Sequence, residues 1–174
     1  MQSDTKEISA AEEQTESDFY GEEEQNGKDY PWIVFSLDGV EYGVNSKFVL
    51  SIEILGEITP IADTHACCPG ITRSRGDMIE LLDLRALFGM GGYRFTASDG
   101  ADVRQMMVVI ETDGVKRGVI VDRVVSVEYV AQFIDSAVNA GKGGISSKYI
   151  SRIAKREKAA GPLLIIDTES LSAR

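Results

Sequence analysis

The sequence predicts a mainly β fold: two similar five-stranded β-barrels packed together, with short helical turns, behind a disordered acidic tail. Three observations lead there. Segments rich in β-branched and aromatic residues, each only as long as a strand, are separated by Asp-Gly and Arg-Gly turn signals. The same words occur twice, about 75 residues apart: Asp38-Gly39 is answered by Asp113-Gly114, and Val49-Leu50-Ser51-Ile52-Glu53 by Val124-Val125-Ser126-Val127-Glu128. Each half then holds five short strands, and an open sheet of that size leaves exposed edges that closure into a barrel removes. At 174 residues and 43% hydrophobic content, the chain suffices for one ordinary domain or two very small barrels sharing a core.

Residues 1–29 stand outside this pattern. They hold ten acidic residues against Lys6 and Lys28, so the tail carries −8 of the chain's net −10 and leaves −2 for the body. Such a segment buries too little apolar surface to offset the entropy of ordering and is expected to be disordered. Within this solvating tail, Phe19-Tyr20 is the one hint of a docking element. An acidic tail on a near-neutral body suits neither nucleic acid nor an anionic membrane, both of which select a basic face. No apolar run approaches the roughly 20 residues that span a bilayer, and the start of the chain lacks a signal-peptide layout, so a cytoplasmic location is expected.

The folded part, 30–174, opens at Tyr30-Pro31-Trp32. Ile33–Leu37 and Val40–Val44 flank Asp38-Gly39, the strongest short-range hairpin signal, and Phe48–Ile54 reads as a third strand. In Pro69–Gly89, two short strands flank the basic turn Arg73-Ser74-Arg75-Gly76, where Gly76 takes positive φ at little cost. Asp83 then caps a turn of helix, Leu84–Phe88, that stops at Gly89. This stretch closes the first half, about 30–90, as the last part of the first barrel. Residues 89–104 are rich in Gly and Asp and read as an exposed connecting loop, longer than most.

The second half, about 105–174, repeats the hairpin over Ile110–Val119 and the third strand from Val124. Tyr149–Ile153 matches Ile71-Thr72-Arg73 and reads as a strand, although Ser147–Ala160 also has helical propensity; Lys155–Gly161 falls in a hairpin loop. Leu163–Asp167 and the short helix Thr168–Leu171 echo Ile79–Asp83 and Leu84–Phe88 at a shift of 84, from 83 to 167.

Residues with chemical potential are few. His65, Cys67 and Cys68 form a His-x-Cys-Cys trio, but consecutive cysteines aim poorly at one ion, and structural zinc favours four ligands in spaced pairs, so no metal is expected. A thiol enzyme using Cys67 or Cys68 with His65 is the sharp alternative; buried cysteines acting as small apolar residues are the plainer one. Gly89-Met90-Gly91-Gly92 follows a helical turn rather than a strand, the wrong context for cradling phosphate, and no cofactor is expected. The pairs Asp83 with Glu80 and Asp122 with Glu128 read better as a helix cap and a strand end than as general acid and base. Arg73 and Arg75 divide evenly between a solvated hairpin tip and guanidinium groups presented rigidly to a partner's carboxylates.

Taken together, Ile33-Val34-Phe35-Ser36-Leu37, Tyr42-Gly43-Val44, Gly70-Ile71-Thr72 leading to Arg75-Gly76, Leu82-Asp83-Leu84-Arg85, Gly118–Asp122 and Leu164–Asp167 resemble, in order and spacing, the CheW-like chemotaxis adaptor (coupling) family over nearly all of 31–172. The resemblance implies two SH3-like barrels in a non-enzymatic cytoplasmic scaffold recruited to membrane-associated receptor arrays. Its implied partners are the regulatory domain of a CheA-like histidine kinase and the cytoplasmic hairpin tip of a chemoreceptor, held like an amphipathic helix in a groove between the barrels. Carried over by position, the receptor-facing residues are Val49, Arg75, Val124 and Val127, while Gly70, Gly76 and Gly118 shape the backbone. This chain departs from the family pattern at Arg73-Ser74, Glu80 and Arg123, which makes the expected groove more polar and basic. An adaptor of a non-flagellar chemosensory pathway with another receptor is the neighbouring alternative.

Overall fold

The computed structural model describes residues 30–62, 64–91, 105–134, 147–156 and 161–172; the expected tail and most of the loops at 89–104 and 155–161 lie outside them. The first half supplies β1 (Trp32–Leu37), β2 (Val40–Asn45), β3 (Val49–Ile54), β4 (Ile71–Ser74), β5 (Asp77–Leu82) and helix α1 (Leu84–Leu87). From the second half come β6 (Met106–Thr112), β7 (Val115–Val121), β8 (Arg123–Glu128), β9 (Gln132–Ile134), β10 (Ile150–Lys155), β11 (Leu163–Ile166) and helix α2 (Thr168–Ser172).

Three of the four predicted hairpins are tight two-residue turns with positive φ at both central positions. The φ pairs are 48° and 80° at Asp38-Gly39, 47° and 98° at Arg75-Gly76, and 52° and 76° at Asp113-Gly114. This geometry matches the right-handed twist of the flanking strands. The basic turn is therefore shorter than the sequence suggested, with Arg73 and Ser74 inside β4, opposite Met78 and Asp77. Asp83 caps α1 as expected, its carboxylate accepting the Arg85 amide at 2.9 Å, and Gly89 ends the helix at φ 74°. Tyr149 sits in a 3-10 turn, and β10 runs from Ile150 through Lys155.

The strands make two curled sheets, in orders β8-β1-β2-β11-β10-β9 and β3-β6-β7-β5-β4. The two barrels are present, but neither belongs to one half of the sequence. Each half's third strand leaves its own hairpin for the other: β3 lies antiparallel to β6, and β8 antiparallel to β1. The parallel pairs β5 with β7 and β11 with β2 cross between the halves in the same way. The stretch from Pro69 to Gly89 consequently shares its sheet with the second half's hairpin. The first sheet has six strands because Gln132–Ile134 adds β9, which no turn signal announced.

Alternation along the strands explains how one core serves both barrels. On β1, Ile33, Phe35 and Leu37 join a central cluster between the sheets, while Trp32 and Val34 fill the first sheet's own interior. Likewise Val108 and Ile110 of β6 face the centre, and Met107 and Val109 face the second interior. Strands buried on both faces need near-continuous apolar sequence, which is what these segments have. Phe35, Tyr42, Phe88 and Tyr149 form a chain of ring contacts through the central cluster, at centroid distances of 5.9, 5.5 and 6.0 Å. Burial, with the Asp38 charge adding to it, pushes the Tyr42 hydroxyl up to about 12.

Polar ties lock the exchange. Arg85, buried on α1, pairs with Asp38 at 3.2 Å and with Asp122, so the first hairpin turn and the end of β7 meet on one guanidinium. Burial alone lowers its pKa; the hydrogen bonds and charges of Asp38 and Asp122 outweigh that and hold it above the usual value. Asp122 also accepts the Asp38 amide at 2.8 Å, confirming the structural reading of this acid. The second sheet curls until β4 meets the segment after β3: Thr59 and Ile71 exchange backbone hydrogen bonds at 2.8 and 2.9 Å, and Thr72 Oγ1 donates to the Glu57 carbonyl at 2.8 Å.

Candidate functional site

Strands β3 and β8, the repeat's third strands, each end their sheet, with β6 and β1 as their only strand neighbours among the described residues. Their side chains alternate in an inverted sense. Facing inward are Val49, Ser51 and Glu53 on β3, and Val124, Ser126 and Glu128 on β8. Facing solvent are Leu50, Ile52 and Ile54 at 46, 37 and 53% exposure, and Val125, Val127 and Tyr129 at 40, 58 and 71%. The polar face is turned in and the apolar face out, against the direction that burial of apolar surface drives in a free strand.

The inward polar groups are satisfied locally, which removes the cost of the inversion. Ser51 donates to Glu53 and Ser126 to Glu128, each at 2.5 Å, so the repeat reproduces the motif atom for atom. Each glutamate then meets an arginine from a hairpin elsewhere in its sheet. Glu53 accepts the Ser74 hydroxyl at 2.9 Å and lies 3.5 Å from Arg75 Nε. Glu128 lies 3.3 Å from Arg156 Nη1, whose guanidinium also binds Glu41. The two arginines differ in setting: the Arg75 side chain is 72% exposed and that of Arg156 only 6%. The first end thus presents a cation to solvent, and the second encloses one.

The seven residues singled out by sequence separate under this geometry. Val49 and Val124 are half-buried and pack against the central cluster, opposite Ile110 and Phe35. Val127 belongs to the outward stripe, and Arg75 stands at the β4–β5 tip beside β3. At Gly70, φ is 151° and a Cβ would lie 2.2 Å from the Thr59 carbonyl oxygen, so only glycine fits where the second sheet closes. A Cβ on Gly118 would press on Leu81 at 2.9 Å, whereas Gly76 has open space and is needed for its turn. Leu50, Ile52, Ile54, Val125 and Tyr129 were missed; the signal was the alternation of apolar with Ser and Glu in both repeats, which sequence reasoning assigns to the core.

The thiol constellation does not assemble. Cys67 and Cys68 are buried, while His65 is exposed. Burial, reinforced by a hydrogen bond with Glu80, pushes the Cys68 thiol up to about 11, the opposite of what a thiolate nucleophile requires. Among the described residues, no group of His, Cys, Asp and Glu is arranged to hold a metal. No helix there is long and apolar enough to cross a membrane.

Two small barrels thus share one core, and each sheet turns the apolar face of one strand to solvent. The chain belongs to the CheW-like domain family, which matches residues 31–174. It is 28% identical to the chemotaxis protein CheW of Klebsiella aerogenes over 93 residues, 53% of this chain and 52% of that protein. It therefore spans about half the length of that relative. Over 146 residues, 84% of each chain, it is 23% identical to the chemotaxis protein CheW of Treponema pallidum. Among solved structures it is similar to the scaffolding protein TtCheW from Thermoanaerobacter tengcongensis, with a TM-score of 0.65 and 27% identity, covering 80% of this chain and 84% of that one.

Proposed function

We propose that this protein is a non-enzymatic chemotaxis adaptor that couples the regulatory domain of a CheA-like histidine kinase to the cytoplasmic hairpin tip of chemoreceptors. It acts in the cytoplasm, at membrane-associated receptor arrays. The observation that carries this reading is the inversion of β3 and β8, which leaves two repeat-related apolar stripes in water with their polar faces already satisfied inside. Exposed apolar stripes of this kind mark protein interfaces, and having two allows two partners. A receptor tip is helical and amphipathic, so its apolar anchors suit such a stripe, while Arg75 supplies a charged contact at the rim.

The test is co-sedimentation of the full chain with kinase and receptor fragments, comparing wild type with Arg75→Glu. The tip is exposed and its ion pair with Glu53 is long, at 3.5 Å, so the variant folds normally while assembly weakens. Undiminished assembly by a folded Arg75→Glu protein would remove Arg75 from the site.

A further inference from the structure

Strand β8 ends the first sheet, and among the described residues its one strand neighbour is β1. A further tie to β8 comes from a side chain, that of Arg156, which directly follows β10. Arg156 Nη1 donates to Glu128 at 3.3 Å; Nη2 binds Glu41 on β2 and donates to the Gly161 carbonyl, before β11, at 3.5 Å. Nε is buried without a hydrogen-bond partner, so the two terminal nitrogens hold the group. Both carboxylates lie on the sheet face that Trp32 and Val34 line, Glu128 opposite Trp32 and Glu41 opposite Ser36. One buried guanidinium therefore joins β8 to β2 and to the β10–β11 hairpin.

The tie bears on which face β8 shows to solvent. Side chains alternate along a strand, so holding Ser126 and Glu128 inward holds Val125, Val127 and Tyr129 outward. Burial of apolar surface favours the opposite face, and the backbone bonds to β1 resist a turn from one edge alone. At β3 the corresponding glutamate meets an exposed arginine, which is open to a partner; at β8 the arginine is enclosed. Given the docking role proposed for β8, we infer that Arg156 is a positioning residue for its outward stripe, acting through Glu128 and touching no partner itself.

Two variants of the full chain test this. Arg156→Lys keeps the charge but loses the fork that spans two carboxylates, and Glu128→Ala cuts the arm to β8 while leaving Arg156 with Glu41. If Arg156→Lys does not fold, Glu128→Ala carries the test. For whichever kinase or receptor fragment Val127→Ser weakens, each variant raises the calorimetric Kd at least about fivefold while urea unfolding shows it still folded. In the free protein, Val125 and Val127 show ¹⁵N relaxation dispersion in both variants, absent from wild type and from β6 and β7. A wild-type Kd in a folded variant makes Arg156 merely structural and overturns the inference. A raised Kd without dispersion points to direct contact with the partner and overturns it too. If Val127→Ser itself binds both fragments as wild type does, the docking role of β8 fails and takes the inference with it.

Discussion

Val124 and Val127 lie three residues apart on β8 and face opposite ways, so one perturbation at each separates docking from folding. Val127 is 58% exposed. Its remaining surface, on the order of 80 Å², is worth about 2 kcal/mol when a partner covers it, at about 25 cal/mol per Å². Val127→Ser should therefore raise the Kd for a receptor-tip or kinase fragment by about 30-fold. Because the side chain is already in water, the same change should cost folding less than about 0.5 kcal/mol. Val124 packs against the central cluster opposite Phe35, so Val124→Ala should lower stability by about 1–2 kcal/mol and affect binding only through that loss. Titration calorimetry with each fragment gives the Kd, and urea unfolding gives the stability. If Val127→Ser binds both fragments as wild type does while Val124→Ala does not, the outward stripe is not the docking surface and the inward residues have to be reconsidered.

Three further outcomes follow from the polar and backbone features. Gly70→Ala, whose Cβ would meet a carbonyl oxygen at 2.2 Å, should destabilise by several kcal/mol, whereas Gly76→Ala, open but left-handed, should cost about 1 kcal/mol in urea unfolding. Arg156→Ala leaves Glu41 and Glu128 without their enclosed cation and should cost about 3–5 kcal/mol, against less than about 1 kcal/mol for Arg75→Ala, measured in the same way. Cys68 is held protonated in the folded state beyond its ordinary value of 9.0, so the unfolded chain loses its proton first as pH rises. The stability due to this thiol is complete below about pH 9 and falls between about 9 and 11; alkylation of the native protein at pH 8 should be slow, and rapid alkylation there would refute the burial argument.

The parts of this fold that were legible in the sequence are those fixed by local chemistry. Asp-Gly at 38 and 113 and Arg-Gly at 75 impose left-handed turns that only a tight hairpin accommodates, and Asp83 with Gly89 brackets one turn of helix. Strand exchange between the halves was not legible, because the repeat gives β1 and β6 the same apolar character and either can accept either third strand. A tie between groups far apart in sequence, Arg85 reaching both Asp38 and Asp122, holds the exchanged arrangement. At the site, the repeat located β3 and β8 but left their faces unassigned: by alternation alone Leu50, Ile52 and Ile54 would look like core, and Ser51 with Glu53 like surface. Within those six residues, Ser-x-Glu is the one hint of the inversion. What permits it is that each serine satisfies the glutamate two places on, and that an arginine from a different hairpin completes the charge. Because Ser-x-Glu recurs in both strands with the same hydrogen bond, the apolar face of each is left in solvent.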